Sequence, residues 1–234
     1  MFDALTPSEI EAVRLSLKVA AVGVIASLPV GFALAWLLAR WQFPGKTIVD
    51  AIVHLPLVLP PVVVGYLLLV LLGRRGPLGA WLEQTFGLVF AFRWTGAALA
   101  CALMGLPLMV RAIRQSLESI DRRLESAAAT LGAGRWAVLA SVTIPLCAPG
   151  ILTGMLLSFA RSLGEFGATI TFVSNIPGET QTLPLAIYTY TQVPGGDAQA
   201  MRLCALAVIL SLAALLLSEL LVRRAQRRIL GDAD

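Results

Sequence analysis

The sequence predicts an all-α integral membrane protein with about five transmembrane helices and an amphipathic helix on an aqueous face. Hydrophobic residues are 58% of the chain and charged residues 14%, against roughly 25% charged in soluble domains. Windows at about 15–39, 48–72, 94–116, 149–170 and 201–222 are apolar over the roughly 20 residues that cross a hydrocarbon core. Residues 117–146 form a charged stretch between two of these windows. The whole chain, 1–234, is expected to be one transmembrane domain.

The first window follows a polar, acidic N-terminal segment. It is too long, and lacks the small-residue cleavage site, to be a removable signal peptide, so it is expected to remain. In the second, Pro56, Pro60 and Pro61 each remove a backbone donor, which predicts a kink whose freed carbonyls face a neighbour or a cavity. Asp50 and His54 lie one turn apart near its start, where a local hydrogen bond is favoured over proton transport.

In the charged stretch, Leu117, Ile120, Leu124, Ala127 and Leu131 recur at helical spacing, with Glu118, Asp121, Arg122 and Arg123 largely off that stripe. Gly132 is suited to a left-handed C-terminal cap, and Pro145 marks where the backbone is expected to turn back to the membrane. Ala127, Ala128 and Ala129 present a thin surface that fits close protein packing. A lipid-surface helix is the alternative for such a stretch.

The fourth window carries Arg161 and Glu165, and ionisable groups in a span face a bundle interior or water. Counted from Pro149, Arg161 lies roughly 18 Å and Glu165 about 24 Å along the helix, past the membrane middle. Their i, i+4 spacing allows an internal ion pair, and a place at the narrow part of a pathway is the other reading. Gly164 and Gly167 flank Phe166 closely enough to make a gate, with ordinary packing the simpler account of the ring. Arg223, Arg224, Arg227 and Arg228 follow the fifth window.

Positively charged loops stay cytoplasmic. Arg40, Lys46, Arg111, Arg114, Arg122, Arg123, Arg135 and the C-terminal arginines fall on one side, and Asp3, Glu9, Glu11, Glu83, Glu179 and Asp197 on the other. Arg74, Arg75 and Arg93 run against that division. The N-terminus is accordingly expected outside and the C-terminus in the cytoplasm. Topology and anionic lipid then account for a pI near 9.3 without nucleic acid as a partner. Cys101, Cys147 and Cys204 are scattered within or near apolar spans, and His54 is the single histidine. Neither a disulfide framework, a metal cluster nor a paired haem ligation follows from these. No Gly-rich phosphate loop ending in Lys and Ser or Thr is present, and no nucleophile with its base. The chain is therefore read as a non-enzyme without cofactors. A secondary transporter would show inverted repeats, and no second copy of either half is visible.

The loop resembles the cytoplasmic coupling loop of ABC importer permeases: Glu-Ala-Ala, three residues, Gly, nine residues, then Ile-x-Leu-Pro. The matching residues are Ser126-Ala127-Ala128, Gly132 and Val142-Thr143-Ile144-Pro145, with the spacing kept and Glu125 one position before the family's acid. A second stretch, Ser158 to Thr169 with its continuation to Gly196, resembles the molybdate and sulfate group of oxyanion importers, most closely its molybdate branch. RWQFPGK after the first span and HLPLVLPPVVVGYLLL in the second extend the likeness over most of the chain.

That resemblance implies a type I importer permease fold in a bacterial inner membrane, working as a homodimer. It implies two copies of a separate ATPase subunit that binds ATP and Mg, docked at Glu125, Ser126, Ala127, Ala128, Gly132 and Pro145. It also implies an extracytoplasmic molybdate-binding protein that delivers the anion. Sulfate, thiosulfate or tungstate import is the alternative. On this reading Arg161, with donors Ser158, Ser162 and Thr169, would attract a dianion, while Glu165, Phe166 and Gly167 would shape or gate the path.

Overall fold

A computed structural model describes residues 5–230, and among them the chain is helical with no strand. Asp3 and the side chains of Arg223, Arg227 and Arg228, used in the orientation argument, lie outside the described residues. Four helices, or runs of helix, are long and apolar enough to cross a membrane, and a bent pair supplies a fifth.

The first helix, α1 (Pro7–Arg40), begins ahead of the expected window because Thr6 and Glu9 form a capping box with Pro7 in the first turn. Glu9, one of the acids counted on the outer side, is buried, and its carboxylate lies 2.9 Å from the Arg202 guanidinium. The Leu183 amide donates to Ser16 Oγ at 2.6 Å and ties the same helix to the chain 167 residues on.

The window at 48–72 is two helices rather than one kinked span. α2 (Lys46–Val58) and α3 (Pro61–Leu72) meet at 111°. Leu59 and Pro60 each precede a proline and are both extended; proline disfavours the helical region for the residue before it. Pro61 then opens α3 at a position where no donor is needed. A short helix that the hydropathy pattern does not announce, α4 (Pro77–Phe86), follows.

The centre of the bundle is α5 (Trp94–Ser119), packed on α1 along one side and on the helix through Pro149 along another. Small residues set these distances. A Cβ on Gly23 would lie 2.8 Å from the Ala98 carbonyl oxygen, and one on Gly105 would collide with the Ser158 hydroxyl. Backbones approach this closely in membrane bundles because packing and polar contacts, not burial from water, hold the helices together.

The amphipathic stripe expected from Leu117 to Leu131 is split. Leu117 is buried on α5, which stops at Ser119, and Asp121 caps a separate helix, α6 (Arg122–Thr130), by accepting from the Arg123 amide at 2.9 Å. An aspartate at that position competes with helix continuation. The restart lies at Gly134, not at Pro145: α7 (Arg135–Val138), a π turn (Leu139–Thr143) and α8 (Ile144–Leu163) form one run through the proline. The widened turn makes room for the residue that has no N–H and whose ring crowds the preceding carbonyl.

The fourth window is also interrupted. α8 stops at Leu163, and α9 (Gly167–Val173) starts after a break at 164–166, where 149–170 was expected as one helix. Gly164 has low helix propensity, and the Glu165 carboxylate accepts from the Ala168 amide at 2.8 Å, replacing a backbone acceptor at the new N-terminus. α10 (Leu183–Thr191) and α11 (Asp197–Leu230) complete the chain. Val208, Ile209, Leu212 and Leu216 on α11 are exposed, an apolar face that no other described part of the chain covers.

The α5–α8 crossing can be tested by overfilling it. Gly105→Ala is expected to lower stability by about 1–3 kcal/mol, read as a lower melting temperature in detergent. Adding Ser158→Ala removes the colliding oxygen and should recover part of the loss; a strictly additive double variant would contradict the contact.

Candidate functional site

Two groups of residues stand out. The first is the aqueous face formed by α6 and the start of the α7–α8 run. The Glu125 carboxylate points inward from α6, 2.7 Å from Arg40 at the end of α1, and accepts from Thr143 Oγ1 at 2.8 Å. One side chain thus fastens the short helix to the first span and to the π turn. Arg40 also lies over the Trp36 ring, 5.6 Å from its centroid. Sequence reasoning treats Arg40 only as a topology-setting charge and Thr143 only as a filler of the motif; nothing local marks either as a partner of Glu125.

Ser126, at the family's acidic position, donates to the Arg122 carbonyl at 3.1 Å and is exposed. The acid one residue earlier lies about 100° around the helix, which turns it from the outer face to the inner one. Gly132 has φ of 90° with open space around it. The Ala133 amide donates to the Ala128 carbonyl and the Gly132 amide to Ala129, the paired bonds of a Schellman cap. Backbone conformation, not room, requires glycine there. Outside the cap the surface is apolar: Leu131 is 90% and Trp136 82% exposed. Beside it a groove of about 620 Å³ is lined by Trp36, Trp41, Glu125, Ala129 and Arg135. Ala127 is exposed, Ala128 half-buried, and Pro145 exposed beyond the π turn.

The second group surrounds the break between α8 and α9. Arg161 Nη1 lies 2.7 Å from Glu165 Oε2, with the arginine side chain 29% exposed and the glutamate 1%. Glu165 therefore holds both Arg161 and the first turn of α9. Phe166 and Tyr188 pack as tilted rings with centroids 5.3 Å apart, and Thr169 donates to the Phe166 carbonyl at 2.9 Å. A Cβ on Gly167 would stand 2.8 Å from Pro61, so the α8–α9 break packs against the α2–α3 break.

Ser158 and Ser162 do not join Arg161. Both are buried toward α5, with Ser158 against Gly105 and Ser162 donating to the Ser158 carbonyl at 2.8 Å. The donor cluster expected of Arg161 with Ser158, Ser162 and Thr169 is not assembled in this conformation. Tyr188 and Pro61 are the neighbours that hydropathy and motif spacing do not disclose. Among the described residues no group of three or more metal-ligating side chains converges.

Residues 27–231 match the family described as the binding-protein-dependent transport system inner membrane component. The molybdenum transport system permease protein ModB of Escherichia coli K12 is 60% identical over 224 residues, covering 96% of this chain and 98% of that one. The sulfate transport system permease protein CysT of the same organism is 37% identical, covering 96% and 80%. The fold resembles a chain of a bacterial alginate ABC transporter crystallised with its periplasmic protein, at TM-score 0.73 and 18% identity, over 94% of this chain and 80% of that one. The arrangement of spans around α6 and the matches over nearly the whole chain lead to one conclusion: this chain belongs to the binding-protein-dependent transport system inner membrane component family.

Proposed function

We propose that the chain is the membrane-spanning subunit of an ATP-driven importer for molybdate, itself without catalytic residues or cofactor. The observation that carries this reading is α6, a short helix with an exposed outer face and one inward acid fastened to two spans. A partner that moves α6 moves α1 and α8 with it. The partner is an ATPase subunit that binds ATP and Mg, seated on Leu131, Trp136 and the alanines of α6. Glu125 acts as the tether within this chain, while Ser126, Ala127, Ala128 and Gly132 form the docking face and Pro145 lies behind it.

The substrate follows the molybdenum relative, whose likeness covers nearly all of both chains; sulfate or thiosulfate is the second reading because the sulfate relative is also similar over most of its length. Tungstate has nearly the size and charge of molybdate. One copy leaves little room for an enclosed path, so two copies share it, with two ATPase subunits and an external binding protein. The whole chain acts as one transmembrane unit in the bacterial inner membrane, N-terminus outside and C-terminus inside, in contact with lipid. Within it, Arg161 presents positive charge to the path while Glu165, Phe166, Gly167 and Thr169 shape the break beside it, and Ser158 and Ser162 set the helix packing behind it. ATP binding by the ATPase pair opens the path outward, and hydrolysis returns it inward.

The deciding experiment is ATP-driven uptake of labelled molybdate into vesicles carrying this chain with its ATPase and binding protein. Uptake that survives excess sulfate supports the molybdate reading; uptake abolished by sulfate moves the substrate to the sulfate group. Gly132→Val places a branched residue where φ is 90°, a conformation that costs an L-residue roughly 1–2 kcal/mol. ATP hydrolysis should persist in this variant while uptake falls several-fold, and normal coupling would remove α6 as the docking element. Glu165→Ala removes both charge and cap and is expected to lower stability by about 1–2 kcal/mol. Glu165→Gln keeps an acceptor for the Ala168 amide and should melt closer to the parent while losing uptake; equal melting of the two variants would show that the cap contributes nothing.

A further inference from the structure

The last turns of α5 carry two arginines in different electrostatic situations. Arg114 is committed, with Nη1 3.0 Å from Asp50 and Nε 2.8 Å from Glu118. Arg111, one turn earlier, is exposed and has no ion pair among the described residues. It lies within the apolar helix Trp94–Ser119, roughly 12 Å before its end. A guanidinium keeps its charge at any accessible pH, so inside a span it must meet water or a counter-charge. The acids beside it, Asp50 and Glu118, share a groove of about 470 Å³ with Arg111 and are already matched by Arg114.

On its other side Arg111 lines a groove of about 590 Å³ with Gln115, Ser116, Ser119 and Thr153, and no acid lines it. The floor is the close α5–α8 crossing, where a Cβ on Gly150 would collide with Ser116. The Ser119 and Thr153 hydroxyls each donate to a backbone carbonyl at 2.8 Å, Ser116 and Pro149 respectively. The Ser116 side chain is hydrogen-bonded to Cys147, which leaves Arg111 and the exposed Gln115 carboxamide as the donors free to act. The cavity is many times larger than a bare tetrahedral oxyanion, so an anion enters it with part of its water.

We propose that this groove is a second station for a hydrated tetrahedral oxyanion on the α6 side of the membrane, with Arg111 supplying the charge and Gln115 a directional donor. The proposal rests on the reading of the chain as an oxyanion importer. Thr153 stands roughly 12 Å from Arg161 along the same run of helix. An anion leaving the level of Arg161 thus meets Arg111 next. Arg161 is engaged by Glu165, whereas Arg111 is not. A water-mediated site holds an anion without the full desolvation that would trap it.

Cys101 and Cys147 are buried and Cys204 is exposed, so a Cys204→Ser chain gives a quiet background for labelling. Ser119→Cys in that background places a thiol in the groove. The transporter, assembled with its ATPase and solubilised without nucleotide, is treated with a neutral water-soluble maleimide. With molybdate at about ten times its dissociation constant, labelling should slow about tenfold relative to equal ionic strength of chloride. Arg111→Gln in the same chain should restore the fast rate. Unprotected labelling, or protection that survives Arg111→Gln, overturns the site. Uptake by the Cys204→Ser chain is measured alongside. Uptake without protection removes the groove alone, and no uptake of any oxyanion removes the importer reading beneath it.

Discussion

Hydrocarbon offers no donor or acceptor, so every place where a spanning helix stops short must be made good by protein. This constraint organises the fold. Among the described residues two apolar spans are interrupted, at Leu59–Pro60 and at 164–166, and the two interruptions pack on each other through Pro61 and Gly167. Glu165 supplies the acceptor that the second break lacks and is itself balanced by Arg161. Removing the breaks would leave a plain bundle of apolar helices, with no reason for a charged pair at its centre. The neighbouring helices α1 and α5 run as single long helices and serve as the frame on which the broken ones rest.

The same logic holds at the aqueous end, where water can satisfy a helix terminus but cannot transmit force. α6 has no buried residue of its own, so its attachment depends on polar tethers. Glu125 provides two, one to α1 and one to the π turn ahead of α8. Exposed ion pairs contribute little, but the Arg40 side chain is 9% exposed and its partner 20%, a sheltered setting in which the pair also fixes geometry. A helix held by a few directed bonds, and not by a broad apolar contact, moves as a unit with whatever seats on its outer face.

Long apolar runs are legible from hydropathy because the membrane imposes their length, and α1, α5 and α11 are of this kind. Gly132 is legible because a left-handed cap makes a demand on one residue alone. The breaks are only half legible. Paired prolines forecast a kink at 60–61, but the angle of 111° depends on α3 finding α9 as a partner. The break at 164–166 lies in an apolar run, and the carboxylate that closes it acts through space. The stripe from Leu117 to Leu131 keeps helical spacing across a real break, since periodicity does not register that Asp121 caps. The Arg40–Glu125 tether joins residues 85 apart, a separation at which sequence pattern carries no information. Ser158 and Ser162 show the reverse error: hydroxyls in a span suggest donors to an anion, yet close helix packing uses them first.

The π turn at 139–143 has a consequence for how this segment tolerates change in length. A turn of this type holds one residue more than an α turn, which sets everything before it about 100° out of phase with α8. Deleting a single residue there would let the run close into ordinary α-helix and swing Arg135 and Trp136 to a different side of the bundle. A substitution at the same place would change one contact. The segment is thus permissive in composition but strict in count, and the spacing between Gly132 and Pro145 is a matter of angular phase between the outer face and the membrane helix.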